Sequence, residues 1–438
     1  MKRQNILLWA AFLLLSFNNI AAQDIRFRDY FSDATLRVNY HRIGTRLHDT
    51  VKVLSYDKIP SWSGSTTQLL DPFDNGAFRV TMVDSATGKR LYSRGYNSLF
   101  HEYRDTPAGD SIVATFEEVL RLPWPNRTAY ILFEERDGQN QMRIQDTITF
   151  NPRKAMDEIG RRSVLITSPE PLRLYCNGDP HKKIDVVIIP EGYGPEDTAK
   201  MRRDLNTFCD YLLSQEPFRS RRKDFNVWGI LSTGKASGIT NPNKGVYVES
   251  LVGASFNTLG SDRYLMTEHL FKVHNAIGWT PCDHIIIMAN TDKYGGGGIY
   301  NFYAMSSLNS MASMILPHEL GHSIGGLADE YVDPNLSYGD CHPIDHEPVE
   351  PNITSLVRFD TKWADLLPDP ALGLSVIPTP EDPSVPRTEC GPIGIYEGAG
   401  YRPKGLYRPT MRCMMRDYAP FCPVCLKRMN EIFDLYTK

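Results

Sequence analysis

Hydrophobic and polar positions alternate in short runs through the N-terminal part of the chain. Leu36-Arg-Val-Asn-Tyr40, Phe78-Arg-Val-Thr-Met82, Ile112-Val-Ala-Thr-Phe116 and Tyr130-Ile-Leu-Phe133 carry this rhythm. A period of two sends successive side chains to opposite faces of a strand, and the Gly, Pro, Asn and Asp residues between the runs mark turns. Residues 24–155 therefore predict an all-β unit, a sandwich of short strands. Its Tyr and Phe residues read as core, and nothing in this part gathers metal ligands or nucleophile partners. Asn151-Pro152 and the charged stretch to Arg162 read as a linker.

The rhythm changes after residue 163. Lys183-Ile-Asp-Val-Val-Ile-Ile-Pro190 is an almost unbroken apolar run, the pattern of a strand buried on both faces. Between Glu196 and Leu213 the apolar residues Met201, Leu205, Phe208, Tyr211 and Leu212 share one helical stripe. Phe225–Leu231 and His284–Met288 predict further strands. Strands alternating with helices define an α/β layer structure over 163–438, so the fold class is mixed, α+β with an α/β C-terminal domain. The Pro- and Gly-rich stretch 366–392 predicts a long surface loop.

Length changes the picture by requiring more than one domain: 438 residues exceed what a single core ordinarily serves. A formal net charge of -4 gives no basis for binding nucleic acid. The short cluster Arg221-Arg222-Lys223 has acidic neighbours in Glu216 and Asp224 and reads as solvated surface. Lys2-Arg3, the apolar run Ile6–Phe17 and the small pair Ala21-Ala22 have the layout of a secretory leader over residues 1–22. The expectation is an exported protein, periplasmic, cell-surface or secreted, with no transmembrane segment in the mature chain. Export permits disulfides. The eight cysteines are Cys176, Cys209, Cys282, Cys341, Cys390, Cys413, Cys422 and Cys425. Cys422-Pro-Val-Cys425 has the spacing of half a structural zinc site, but no second such pair exists, so local disulfides with Cys390 and Cys413 are the expectation.

Candidate chemistry concentrates in His318-Glu319-Leu320-Gly321-His322. Residues four apart share a helix face, so both imidazoles reach one ion, and zinc accepts imidazole nitrogen. Glu319 is turned aside from the ion and serves as general base toward a zinc-activated water. Pro317 fits the first turn of this helix. A third ligand follows a helix-ending glycine by three residues in metzincins. Counting from Gly325 reaches Ala328, which cannot bind; counting from Gly326 reaches Asp329, which can. Asp329 is the choice and Glu330 the competitor. Met414 or Met415 is a candidate methionine turn beneath the metal. Tyr401, Tyr407 and Tyr418 are candidates to polarise a developing oxyanion. Gly295, Gly296, Gly297 and Gly298 lie where an edge strand would pair with extended substrate.

The segment His318–Tyr331 resembles the IgA-peptidase family, family 64 of the metallopeptidases. Gly260–Tyr264, Asn290–Gly298, Tyr396–Tyr401 and Phe421–Cys425 match as well, so the resemblance spans about 183–435. The N-terminal unit resembles the accessory domain of some bacterial members. The resemblance implies a metzincin-type zinc endopeptidase with His318, His322 and Asp329 as ligands, acting on protein or glycoprotein. Cleavage of immunoglobulin A does not transfer with it, because specificity lives in loops. Two other readings are a glycan- or glycoprotein-binding surface protein with structural zinc, and a zinc amidase acting on cell-wall peptides. The sequence leaves oligomeric state open.

Overall fold

The computed structural model describes residues 25–161, 171–333, 342–368, 379 and 381–438. The expected leader and Cys341 lie outside the described residues, as does part of the expected loop at 366–392. Seven strands build the N-terminal unit. Strands β1 (Phe31–Gly44), β2 (Asp49–Ile59) and β5 (Ala114–Pro125) form one antiparallel sheet in the order β2-β1-β5. Strands β3 (Phe78–Asp84), β4 (Arg90–Tyr96), β6 (Ala129–Arg136) and β7 (Met142–Phe150) form the other, in the order β4-β3-β6-β7.

Aromatic side chains join the two sheets. Tyr40 meets Phe133 edge-on with ring centroids 5.2 Å apart, and Tyr56 meets Phe150 at 5.1 Å. Arg42 lies inside this core, paired with Asp49 at 2.8 Å and Glu118 at 3.2 Å. Left alone, a charge at that depth would cost several kcal/mol. The stretch expected as a linker is instead helical over Pro152–Arg161. Asn151 caps it by accepting from the Arg153 amide at 3.0 Å, and Pro152 suits the first turn. Ala155 is buried and Ile159 packs on the sandwich core, which is why the segment folds back.

The C-terminal unit is organised by a six-stranded sheet in the order β12-β13-β11-β9-β10-β8. These are β8 (Leu172–Tyr175), β9 (Ile184–Glu191), β10 (Phe225–Gly229), β11 (His284–Ala289), β12 (Gly296–Ile299) and β13 (Tyr303–Ser307). The central strands run parallel, and the two edges, β12 and β8, are antiparallel to their neighbours. Alternation along β9 explains its apolar run. Val187 and Ile189 face a core shared with the sandwich and with helix α1 (Leu270–Ile277). Val186 and Ile188 face the opposite core, closed by helices α2 (Ala312–Ser323) and α3 (Pro423–Thr437). The sandwich thus covers one face of the sheet, and its side chains reach the cleft that contains His318 and His322.

Candidate active site

Helix α2 starts earlier than its proline suggests. Asn309 accepts from the Met311 amide at 3.0 Å, and the helix opens at Ala312, so Pro317 stands mid-helix and not in the first turn. Proline there has no N–H for the Ser313 carbonyl. The helix ends at Ser323, and Gly326, with a positive φ of 58°, is the turning residue in place of Gly325. The left-handed turn therefore comes one residue later than in the simpler count, and the chain brings Asp329 back toward the two histidines.

His318 Nε2 and His322 Nε2 stand 3.3 Å apart. Asp329 Oδ1 lies 3.1 Å from the first and 3.4 Å from the second. Each ring is oriented from behind: His318 Nδ1 donates to the Met414 carbonyl at 2.9 Å, and His322 Nδ1 donates to the Leu327 carbonyl at 2.7 Å. With Nδ1 committed as donor, Nε2 of a neutral imidazole is an acceptor. Three acceptors therefore converge where none has a hydrogen to offer, and Asp329 Oδ1 is buried with no hydrogen-bond partner. Such a triangle calls for a cation. Without a metal, that cation is a proton. Burial pushes His322 down, but the Asp329 carboxylate overrides it and raises the group to about 9. His318 is raised by the same carboxylate against burial.

Glu319 has a ligand atom within 4.8 Å of both histidine nitrogens without bonding to either ring. Burial raises its carboxyl above the usual range, and the two histidines oppose that. Glu330, the alternative third ligand, turns away into the core, where it is fully buried and accepts from Asn352 at 2.9 Å. Met415 packs beneath Gly321, where any Cβ would collide with its sulfur.

The three candidate tyrosines separate. Tyr401 donates its hydroxyl to Asp329 Oδ2 and so holds the third ligand. Tyr418 packs its ring 5.6 Å from His318, and its hydroxyl meets that of Tyr294 at 2.5 Å. Tyr407 does not line the cleft. It lies on the strand Arg402–Arg408, where alternation buries Leu406 beside Ala328, Ile353 and Ala399 and turns Tyr407 elsewhere. The glycines also differ from expectation. Strand β12 is at the sheet edge, but Gly296 already bridges Tyr264, and a Cβ at Gly298 would strike the Glu319 carbonyl. Their smallness lets the strand lie directly against α2. Gly296, Gly297 and Gly298 line the cleft; Gly295 does not.

The cleft has a volume of about 630 Å³, and the sandwich supplies one wall through Asn75, Asn97, His101, Glu102 and Asp105. Sequence patterning gave this unit no site residue, because these side chains come from a loop and a short helix with no metal or nucleophile spacing. Glu102 accepts from the Tyr264 hydroxyl, and burial raises its carboxyl to about 7. Tyr264, Tyr294 and Tyr331 also line the cleft and were not singled out by spacing.

The family description "IgA Peptidase M64" matches residues 172–387 and 386–433, and "Peptidase M64 N-terminus" matches 26–146. The chain belongs to the IgA peptidase M64 family. M64 peptidases are metallopeptidases, so the cleft lies in a metal-dependent peptidase, and the sandwich is the N-terminal part that this family carries. No curated protein matches the chain. Among the described residues, no helix is long and apolar enough to cross a membrane.

Proposed function

We propose that this M64 member is a zinc metalloendopeptidase that cleaves protein or glycoprotein chains in the cleft between the sandwich and the sheet. The observation that carries the reading is the acceptor triangle of His318, His322 and Asp329. Its edges of 3.1, 3.3 and 3.4 Å match the ~3.3 Å separation expected of nitrogen and oxygen ligands about 2.0–2.1 Å from a tetrahedral zinc. Three protein ligands leave the fourth position open, the arrangement of a catalytic site and not of a structural one.

Zinc, when bound there, would polarise the scissile carbonyl and lower the pKa of water toward about 7. Glu319 stands beside the open side and takes the proton of the attacking water, then returns it to the leaving amine. Tyr418 packs its ring against His318 and lines the cleft, with its hydroxyl shared with that of Tyr294, so it is our candidate donor for the developing oxyanion. Tyr401 keeps Asp329 oriented through its hydroxyl.

The chain is further proposed to be exported, on the strength of its N-terminal residues; sequencing the N-terminus of the mature protein tests this. The enzymatic reading is tested by stripping the protein with a chelator and restoring zinc. Peptidase activity on a panel of unfolded proteins, glycoproteins and cell-wall peptides should vanish and return with zinc. Activity on cell-wall peptides alone would favour the amidase reading. Full activity in the stripped protein would refute both.

A further inference from the structure

A second convergence of ligand atoms lies behind the first. Cys413, Cys422, Cys425 and Glu330 are all buried, and one donor atom from each lies within 4.8 Å of the others. The thiols are free, contrary to the expectation of local disulfides. Cys413 Sγ and Cys425 Sγ stand 3.7 Å apart, far beyond the ~2.05 Å of a sulfur–sulfur bond. The separation matches the ~3.8 Å edge between two sulfurs each about 2.3 Å from a tetrahedral ion. Cys425 Sγ lies 3.3 Å from Glu330 Oε1, close to the ~3.5 Å edge expected for mixed sulfur and oxygen ligands.

The surroundings are built for anionic ligands. Cys422 caps the N-terminus of the 15-residue helix α3, and its sulfur accepts from the Cys425 amide at 3.5 Å. The Cys422 amide in turn points at Cys413 Sγ at 3.4 Å. Glu330 is fully buried, and its Oε2 has no hydrogen-bond partner. A carboxylate at that depth with one oxygen unserved needs a positive partner.

We propose that Glu330, Cys413, Cys422 and Cys425 form a second, structural metal centre that takes a thiolate-preferring divalent ion of the zinc class. Binding displaces the thiol protons and closes the coordination shell with protein atoms, so no position remains for substrate. The centre ties together the two segments that set the first site. Glu330 is the neighbour of Asp329, and its amide donates to the Met415 carbonyl at 2.8 Å. Cys413 precedes Met414, whose carbonyl orients His318. Adjacent carboxylates thus serve adjacent centres, and Glu330 fixes the direction of Asp329; only this link to catalysis rests on the proposed function.

The test uses the full chain, produced with zinc and purified without chelator. In a His318→Ala/His322→Ala variant, which empties the first site, elemental analysis should find one zinc per chain. Replacing that zinc by cobalt should give an intense thiolate-to-cobalt charge-transfer band. Cys422→Ser/Cys425→Ser in the otherwise native chain should remove the band and about one metal equivalent. If that variant does not fold, the spectrum of the histidine variant still decides. A metal-free histidine variant overturns the proposal, whether its cysteines are found as free thiols or as a disulfide by non-reducing mass spectrometry. A native chain holding one ion with a thiolate spectrum would support this centre while defeating the peptidase reading.

Discussion

The Tyr401 hydroxyl donates to Asp329 Oδ2, leaving Oδ1 as the atom that faces His318 and His322. One carboxylate is divided between a holding contact and a ligating one. Partners that orient a ligand from behind typically contribute 10- to 100-fold in metal affinity. Tyr401→Phe should weaken zinc binding by about that factor while leaving the fold intact, as read by chelator competition. Unchanged affinity would mean that the backbone alone positions Asp329.

Tyr418 packs its ring against His318, and its hydroxyl meets that of Tyr294. Tyr418→Phe should retain zinc and lower kcat by roughly 10²–10³, with little change in KM, as removal of an oxyanion donor does. A loss confined to KM would reassign the residue to substrate binding.

Strand β12 reaches α2 only because Gly298 has no side chain. Gly298→Ala places a methyl group against the Glu319 carbonyl. Overpacking of this kind costs about 1–3 kcal/mol, and the displaced Glu319 should lower activity beyond the stability loss. Thermal unfolding and kcat/KM measured together separate the two effects.

In the metal-free protein the Asp329 carboxylate raises His322 to about 9, so at pH 7 this imidazole holds a proton. Zinc must displace it. Metal uptake at pH 7 should release at least about one proton from this site, and apparent affinity should rise with pH until about 9, where the proton is already gone. Calorimetry of the Cys422→Ser/Cys425→Ser variant, in buffers of different ionisation enthalpy, counts the protons of this site alone. Uptake without proton release would contradict the assigned geometry.

Local chemistry was the most legible part of the chain. The two histidines and Glu319 are visible because helix periodicity alone brings them together, and the helix-ending glycine pointed to Asp329 once the count began at Gly326. The strands at β1, β3, β6, β9, β10 and β11 follow from apolar patterning. Strand β2 was missed because nearly all of its side chains are exposed or half-exposed and only Val51 and Ile59 are buried. The helix Pro152–Arg161 read as a linker because its packing surface reduces to Ala155 and Ile159 against a distant sheet. Tyr407 could not be separated from Tyr401 and Tyr418 by position, since strand register turns Tyr407 from the cleft while Tyr401 and Tyr418 reach it from left-handed turns. Glu102 in the cleft and Glu330 in the cysteine cluster depend on contacts between segments far apart in sequence, which no local spacing encodes; the Cys422–Cys425 spacing showed only half of that cluster.

Catalysis as proposed depends most on Glu319 acting as the proton carrier beside a zinc held by His318, His322 and Asp329. The most direct measurement is kcat of Glu319→Gln with the zinc content of the same preparation determined alongside. The predicted result is unchanged zinc at the histidine site and a fall in kcat of at least about 10²–10⁴, the range supplied by a positioned acid or base. Near-native kcat in a fully zinc-loaded Glu319→Gln protein would contradict it.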